Sequence, residues 1–184
     1  VEKIGYRAFY GCSMLSCQLE IPSKLNYIDS EAFYNCVSLS GDLIIPSSVT
    51  YIGYGCFYNC KKLSSLLIDG NFKNIEKDSF CNCEGLKSLI IKDPVEKIQL
   101  NSFCNCTSIV NLTLPNNLKY VESFAFCNCS SLKRLYYTDT MISIGSYAFC
   151  NCTSLKTISF QNSVESIGPG AFYNCHEIEG DLII

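Results

Sequence analysis

Any chemistry this chain performs would have to come from cysteine. It holds 14 Cys but one His and no Trp, so His-dependent catalysis and His-rich metal sites have almost nothing to be built from. A catalytic thiol needs a base within hydrogen-bond reach and a third group to orient that base. His176 directly follows Cys175, but neighbours in a turn rarely point together, and no third partner is evident in the sequence. Structural zinc favours Cys-x2–4-Cys spacing. The pairs present, Cys81-Asn-Cys83, Cys104-Asn-Cys106, Cys127-Asn-Cys129 and Cys150-Asn-Cys152, are one residue too tight. Gly53-Tyr-Gly55 and Gly168-Pro-Gly170 are incomplete as phosphate loops and lack the strand–loop–helix context such loops need. No nucleophile elbow, metalloprotease helix or P-loop lysine motif occurs. The chain reads as non-enzymatic, with no cofactor and no metal site.

The cysteines follow a pattern. Eight of them (Cys12, Cys36, Cys60, Cys83, Cys106, Cys129, Cys152 and Cys175) lie three residues after Phe9, Phe33, Phe57, Phe80, Phe103, Phe126, Phe149 and Phe172. Successive members of that phenylalanine series are 23 or 24 residues apart. Eight copies define a solenoid, in which each unit buries its apolar residues only against its neighbours. In the second copy the apolar or small columns are Leu25, Ile28, Ala32, Phe33, Cys36, Leu39, Leu43 and Ile45. Cys behaves as a small hydrophobe, so the main cysteine column reads as a reduced ladder facing the interior. A second column runs Tyr10, Tyr34, Tyr58, Cys81, Cys104, Cys127, Cys150, Tyr173. Exchange of Tyr with Cys suggests a half-exposed groove, because Tyr usually keeps its hydroxyl wet. Neighbours there would be one repeat pitch apart, inside the roughly 4.4–6.8 Å Cα span of a disulfide. Cys81–Cys104 and Cys127–Cys150 could therefore close as rungs in an oxidising compartment. Cys17 belongs to neither column.

Spacing within a repeat indicates the elements that carry these columns. Leu43-Ile44-Ile45, Leu66-Leu67-Ile68, Leu89-Ile90-Ile91, Leu112-Thr-Leu114 and Leu135-Tyr-Tyr137 are short strands with alternating inward positions. Stacked in parallel, neighbours would lie about 4.8 Å apart. Pro22, Pro46 and Pro115 end three such segments, as residues that cannot donate to a ladder should. The three-residue steps from Leu25 to Ile28 and from Phe33 to Cys36 to Leu39 suit tight turns, a short helical turn or a 3-10 segment on the opposite side. The residue before the column Cys is Asn35, Asn59, Asn82, Asn105, Asn128, Asn151 or Asn174, and Gly11 in the first copy. Asn and Gly share tolerance of positive φ, which points to a left-handed helix cap. A buried asparagine ladder bonding to backbone is the alternative, one that glycine could not supply.

Composition sets the outer limits. Of 184 residues 48% are hydrophobic and 17% charged, so the chain packs rather than staying disordered. A net charge of −3 excludes nucleic-acid binding through a strong basic field. No run approaches the roughly 18 apolar residues of a membrane helix, so no direct membrane insertion is expected from this segment. The chain starts at Val1 without Met and stops inside the apolar run Asp181-Leu-Ile-Ile184. We expect residues 1–184 to be a single solenoid domain from a longer array, without polar capping repeats and prone to end-to-end association.

The repeats Ile144-Gly-Ser-Tyr-Ala-Phe-Cys-Asn-Cys-Thr-Ser-Leu155 and Ile167-Gly-Pro-Gly-Ala-Phe-Tyr-Asn-Cys175 resemble the BspA-like leucine-rich repeats of bacterial and protist surface proteins. The resemblance covers the whole chain. It implies a β-rich α/β solenoid, a right-handed leucine-rich-repeat coil of eight 23–24-residue repeats, with a parallel strand face. It also implies, more loosely, a cell-surface or secreted role in adhesion or protein binding. An intracellular scaffold with reduced cysteines and a passive stalk are the competing readings.

A protein ligand of such a coil would lie on the concave strand face. Its mid-strand outward column is Glu20, Ile44, Leu67, Ile90, Thr113, Tyr136, Ser159 and Ile183, and two residues earlier it includes Asp42, Asn111, Arg134 and Asp181. Ile44, Leu67 and Ile90 are consecutive and apolar where packing does not require it, which is how interaction patches look. Tyr and Arg are common hot-spot residues, and Tyr136 and Arg134 supply them. Four N-glycosylation acceptors, Asn105, Asn111, Asn128 and Asn151, are present, and three are generated by the repeat itself. A glycan on Asn111 would obstruct the same face.

Overall fold

A computed structural model of the chain describes residues 1–136, 139–159 and 163–179. Two kinds of strand alternate along it. The short ones are β1 (Lys3–Ile4), β2 (Tyr27–Ile28), β4 (Tyr51–Ile52), β6 (Asn74–Ile75), β8 (Lys97–Ile98), β10 (Tyr120–Val121), β12 (Ser143–Ile144) and β14 (Ser166–Ile167). The others are β3 (Ser40–Ile45), β5 (Lys62–Ile68), β7 (Ser88–Ile91), β9 (Asn111–Thr113), β11 (Arg134–Tyr136) and β13 (Thr157–Ser159). Short strands pair in the orders β1-β2-β4 and β6-β8-β10-β12-β14, longer ones in the orders β3-β5-β7-β9 and β11-β13. Every pairing is parallel, and apart from a register shift between Gly41 and Asp42 where β3 meets β5, equivalent repeat positions are joined, as in Leu43↔Leu66↔Leu89↔Leu112. The result is a parallel-strand solenoid of about seven turns.

The core is the set of columns expected from the sequence. Leu25, Ile28, Ala32, Phe33, Cys36, Leu39, Leu43 and Ile45 are all buried in one continuous cluster with their counterparts. The repeat phenylalanines form a spine of parallel rings. Adjacent centroids are 5.0–5.5 Å apart and the planes lie within 11° of each other. From Phe33 to Phe149 these rings are fully buried, each stabilising the coil by roughly 2 kcal/mol through apolar burial. Phe9, with a neighbour on one side only, is 41% exposed.

The side opposite the longer strands differs from one expectation. Among the described residues it carries turns and no helix or 3-10 segment. Hydrogen bonding gives the reason. The N–H groups of Ala32, Tyr34 and Cys36 bond three residues back, to Asp29, Glu31 and Phe33. Those between them, on Glu31, Phe33 and Asn35, donate instead to Tyr54, Cys56 and Tyr58 of the next coil. A 3-10 helix needs consecutive i→i+3 bonds. Here every second donor leaves the coil, so the three-residue spacing comes from separate turns cross-linked to their neighbours.

The asparagine column takes positive φ as expected, from 57° to 64° across all seven members, with Gly11 at 71°. With no helix to cap, each instead occupies the third position of a turn closed from Phe to Cys, where a type II turn requires φ > 0. A second positive-φ column precedes it by four residues: Arg7, Glu31, Gly55, Asp78, Asn101, Phe124, Tyr147 and Gly170. Gly53-Tyr-Gly55 is explained by the same packing. A Cβ on Gly53 would lie 2.2 Å from the Ser30 backbone nitrogen, so this glycine admits the neighbouring coil.

Candidate functional site

The longer strands place their outward residues in two adjacent columns. Asp42↔Ser65↔Ser88↔Asn111 and Ile44↔Leu67↔Ile90↔Thr113 are paired by register, and Arg134↔Thr157 and Tyr136↔Ser159 extend them through β11 and β13. Alternation along each strand does the positioning. In β3, Leu43 and Ile45 face inward while Asp42 and Ile44 face solvent, and β7 repeats this with Leu89 and Ile91 against Ile90. Ile44 is 53% exposed and Ile90 39%, with Leu67 between them half-buried. Tyr136, at 59%, is the most exposed aromatic residue of these strands.

Glu20 is not part of a strand, yet it lines a groove of about 210 Å³ with Asp42, Ile44 and Gln18. At the other end Asn111, Thr113, Arg134 and Tyr136 share a groove of about 390 Å³ with Val110 and Lys133. The described members of the strand-face columns singled out in the sequence therefore point outward from the same side of the coil. The Ser159 side chain, Asp181 and Ile183 lie outside the described residues.

Sequence reading missed the flanking column. One residue before the Asp42–Arg134 column stand Ser64, Lys87, Val110, Lys133 and Lys156. Three are cations, and Lys87, Val110, Lys133 and Lys156 are exposed. Aligning that column would have found them.

Electrostatics differ between the strand face and the rest of the surface. Asp42 accepts hydrogen bonds from Ser65 Oγ at 2.6 Å and Ser64 Oγ at 2.9 Å, which hold its carboxyl below the ordinary aspartate value and keep it ionised. On the short-strand side, charges instead neutralise one another across coils. Glu96 Oε1 lies 2.8 Å from Lys73 Nζ, and Glu96 Oε2 2.9 Å from Lys119 Nζ. Hydrogen bonds from Lys119 and Lys73 depress its carboxyl to about 2. Lys97 and Glu122 pair at 2.8 Å beside a groove of about 410 Å³ lined by Tyr120, Ser123 and Ser143.

All fourteen cysteines are free thiols. The main column is interior from Cys36 to Cys152, and each Sγ donates to the carbonyl of a phenylalanine in the preceding coil, as Cys106 does to Phe80 at 3.3 Å. Burial raises these thiols, Cys83 to about 12, so the thiolate that nucleophilic chemistry requires is disfavoured. The second column is more enclosed than expected. Its tyrosines Tyr34 and Tyr58 are half-buried and stacked at 4.5 Å, but Cys81, Cys127 and Cys150 are buried and only Cys104 is intermediate. Cys104 lies beside Cys127 and Cys81, and Cys127 beside Cys150, close enough for each thiol to perturb its neighbour. The four thiols thus form a continuous row. Cys175 is lowered by its hydrogen bond with Cys152, while the adjacent His176 is exposed. Among the described residues, no three His, Cys, Asp or Glu side chains are grouped to hold a metal ion, and no helix is long and apolar enough to cross a membrane.

The sequons separate into two kinds. Asn105, Asn128 and Asn151 each donate Nδ2 to the Oδ1 of the preceding asparagine at 2.7, 2.6 and 2.7 Å. Their amides are committed to a side-chain ladder, so the asparagine column is both a positive-φ turn and a ladder, bonded through amides rather than to backbone. Asn111 is exposed on β9.

Comparison with known proteins agrees with this architecture. No curated protein sequence matches the chain. Several solved structures align with it. The leucine-rich repeat protein of T. pallidum is 28% identical with a TM-score of 0.80, over 86% of this chain and 76% of that one. A leucine-rich repeat protein from Bacteroides ovatus is 27% identical with a TM-score of 0.71, over 97% of this chain and 58% of that one. A leucine-rich cell surface protein from Faecalibacterium prausnitzii is 25% identical with a TM-score of 0.58 over 97% of this chain. The chain spans 56% of the length of that last relative. The family described as the BspA type leucine-rich repeat region matches residues 1–109 and 73–181, in six copies. Coil, columns and comparison agree: the chain belongs to the BspA-type leucine-rich repeat family.

Proposed function

We propose that this chain is a non-enzymatic protein-binding module of a cell-surface or secreted protein, and that it takes its partner on the strand face. The observation that carries the proposal is the stripe Ile44–Leu67–Ile90, three adjacent apolar side chains turned to solvent in a register that fixes them side by side. Inward packing does not need them, since Leu43, Leu66 and Leu89 already fill the interior of the same strands. Tyr136 and Arg134 continue the surface with residue types that dominate interface energetics. The similarity to a protein described as a cell surface protein supports the location. Substituting Ile44, Leu67 and Ile90 together by Ser is expected to abolish capture of a cognate surface or matrix protein while leaving far-UV circular dichroism intact. Unchanged affinity would discard this surface.

One further feature belongs to the same reading. In an oxidising compartment the row of second-column thiols closes as Cys81–Cys104 and Cys127–Cys150, each bond giving two electrons to an external disulfide, and thiol titration falls from fourteen to ten. A count that stays at fourteen after such oxidation favours instead the intracellular scaffold with reduced cysteines.

A further inference from the structure

Nine of the fourteen Lys and Arg residues lie within 3.7 Å of a carboxylate, most of them across a coil boundary. Among the described residues five do not: Lys24, Lys62, Lys87, Lys133 and Arg134. Lys133 and Arg134 are adjacent on the strand face at β11, beyond its midpoint, while Lys62 opens β5 and Lys87 directly precedes β7. The band ends at Lys156, which Glu177 already neutralises at 3.6 Å. At the opposite end of the same face are two exposed acids, Glu20 and Asp42, with no ion pair among the described residues. The hydroxyls of Ser64 and Ser65 hold Asp42 in its ionised form. Between the two ends lies the apolar stripe. The outward charges at the two ends of the strand face are therefore of opposite sign, acidic at Glu20 and Asp42 and basic at Lys133 and Arg134, with Lys62 and Lys87 flanking the apolar stripe between them, while the chain as a whole carries only −3.

We infer that the partner of this face is a protein segment of opposite polarity, with basic residues at one end, apolar residues in the middle and acidic residues at the other, laid along the axis across successive strands. The inference rests on the strand face being the binding surface and adds the chemistry of what it binds. Repeat spacing sets the span. Asp42 and Arg134 hold equivalent repeat positions four coils apart, which at about 4.8 Å per coil is about 19 Å. An extended segment covers that distance in about six residues at ~3.3 Å each. Unpaired charges at each end favour the matching partner and penalise the mismatched one, since like charges placed together raise the free energy of the wrong complex.

Fluorescence anisotropy with three labelled peptides of about ten residues tests this. One carries two Lys, an apolar stretch of about six residues and two Glu in that order; the second has the same composition with charges interleaved; the third is uncharged. The segregated peptide is expected to bind about tenfold more tightly than the interleaved one, a difference of about 1.4 kcal/mol. Lys133→Glu with Arg134→Glu should remove that preference. Adding Glu20→Lys and Asp42→Lys should restore it, because reversing both ends leaves a polarised face that the same peptide meets in the other direction. Equal binding of segregated and interleaved peptides, loss without restoration, or no binding of the segregated peptide at about 1 mM overturns the inference. The Ile44→Ser, Leu67→Ser, Ile90→Ser protein separates the two levels. If it loses all peptides while they bind the native protein equally, the strand face stands and its polarity falls; if it binds the segregated peptide unchanged, the strand face itself falls.

Discussion

Asn105 has two separable roles, and substitution can weigh each. Its backbone sits at φ 60°, and its side chain donates to Asn82 Oδ1 at 2.7 Å while accepting from Asn128 Nδ2 at 2.6 Å. Asn105→Gly keeps the left-handed backbone and removes both ladder bonds. At about 0.5–1.5 kcal/mol per bond, with half-buried partners that water can partly reach, the loss is about 2 kcal/mol. Asn105→Ala removes the same bonds and adds roughly 1–2 kcal/mol for a Cβ in the left-handed region. Alanine recovers about 0.4–1 kcal/mol from its stiffer unfolded chain. The net expectation is that alanine is the worse substitution, at about 3 kcal/mol. Asn105→Asp tests the ladder alone. Its carboxylate still accepts from Asn128 but faces the Asn82 oxygen with no hydrogen between them. The ionised form is disfavoured in the fold, so the folded pKa rises above the unfolded value of about 3.9. The stability of this variant is then fully present below that value and is lost as pH rises through the higher folded one. Urea unfolding followed by circular dichroism reads all three, with the slope checked for loss of cooperativity in the array. Alanine no worse than glycine would refute the backbone role, and an Asp variant with no pH-dependent deficit would refute the ladder.

Position along the solenoid should govern the cost of losing a spine ring: Phe103→Ala, between rings at 5.4 and 5.3 Å and fully buried, is expected to cost about 3–5 kcal/mol. Phe9→Ala, with one neighbour and 41% exposure, should cost well under half of that in the same urea assay, and equal costs would mean that the coils do not stack as described. Glu96 supplies the pH-dependent test on the other flank. Its carboxyl is depressed from 4.5 to about 2 by Lys119 and Lys73, so its contribution is present above 4.5 and lost as pH falls through about 2. The difference in urea midpoint between the native protein and Glu96→Gln should therefore shrink across that interval, and a difference that stays constant would show that the two lysines do not act on the folded state.

The sequence made the interior legible because the interior is periodic. A side chain stacked on its own copy must suit a neighbour of the same kind, so Phe33, Cys36 and Ile28 recur and their burial follows from recurrence alone. The conformation of the turn was less visible. Three-residue spacing looks the same whether consecutive N–H groups bond three back or every second one leaves for the next coil, and only the second arrangement occurs. The earlier positive-φ column was hidden more completely, since it contains Arg7, Glu31, Phe124 and Tyr147 beside its two glycines. Inter-coil bonds from Arg7 to Ser30 and from Phe124 to Ser146 hold that backbone against the preference of the residues on it.

The binding surface obeys the opposite logic. Residues that choose a ligand are free to differ from coil to coil, so Asp42, Ser65, Asn111 and Arg134 share a repeat position but not a chemistry. Reading each column separately found Ile44, Leu67 and Ile90 but not Lys87 and Lys133, because a lone lysine in a solvent-facing column is unremarkable. What distinguishes those cations is a property of the whole molecule: most of the others are already matched by a carboxylate across a coil. Charges on the short-strand flank are placed to neutralise one another, whereas Lys133 and Arg134 on the strand face lie four coils from Asp42 and five from Glu20. That separation, kept within a nearly neutral chain, is what a surface needs if it is to discriminate the direction of a ligand as well as its composition.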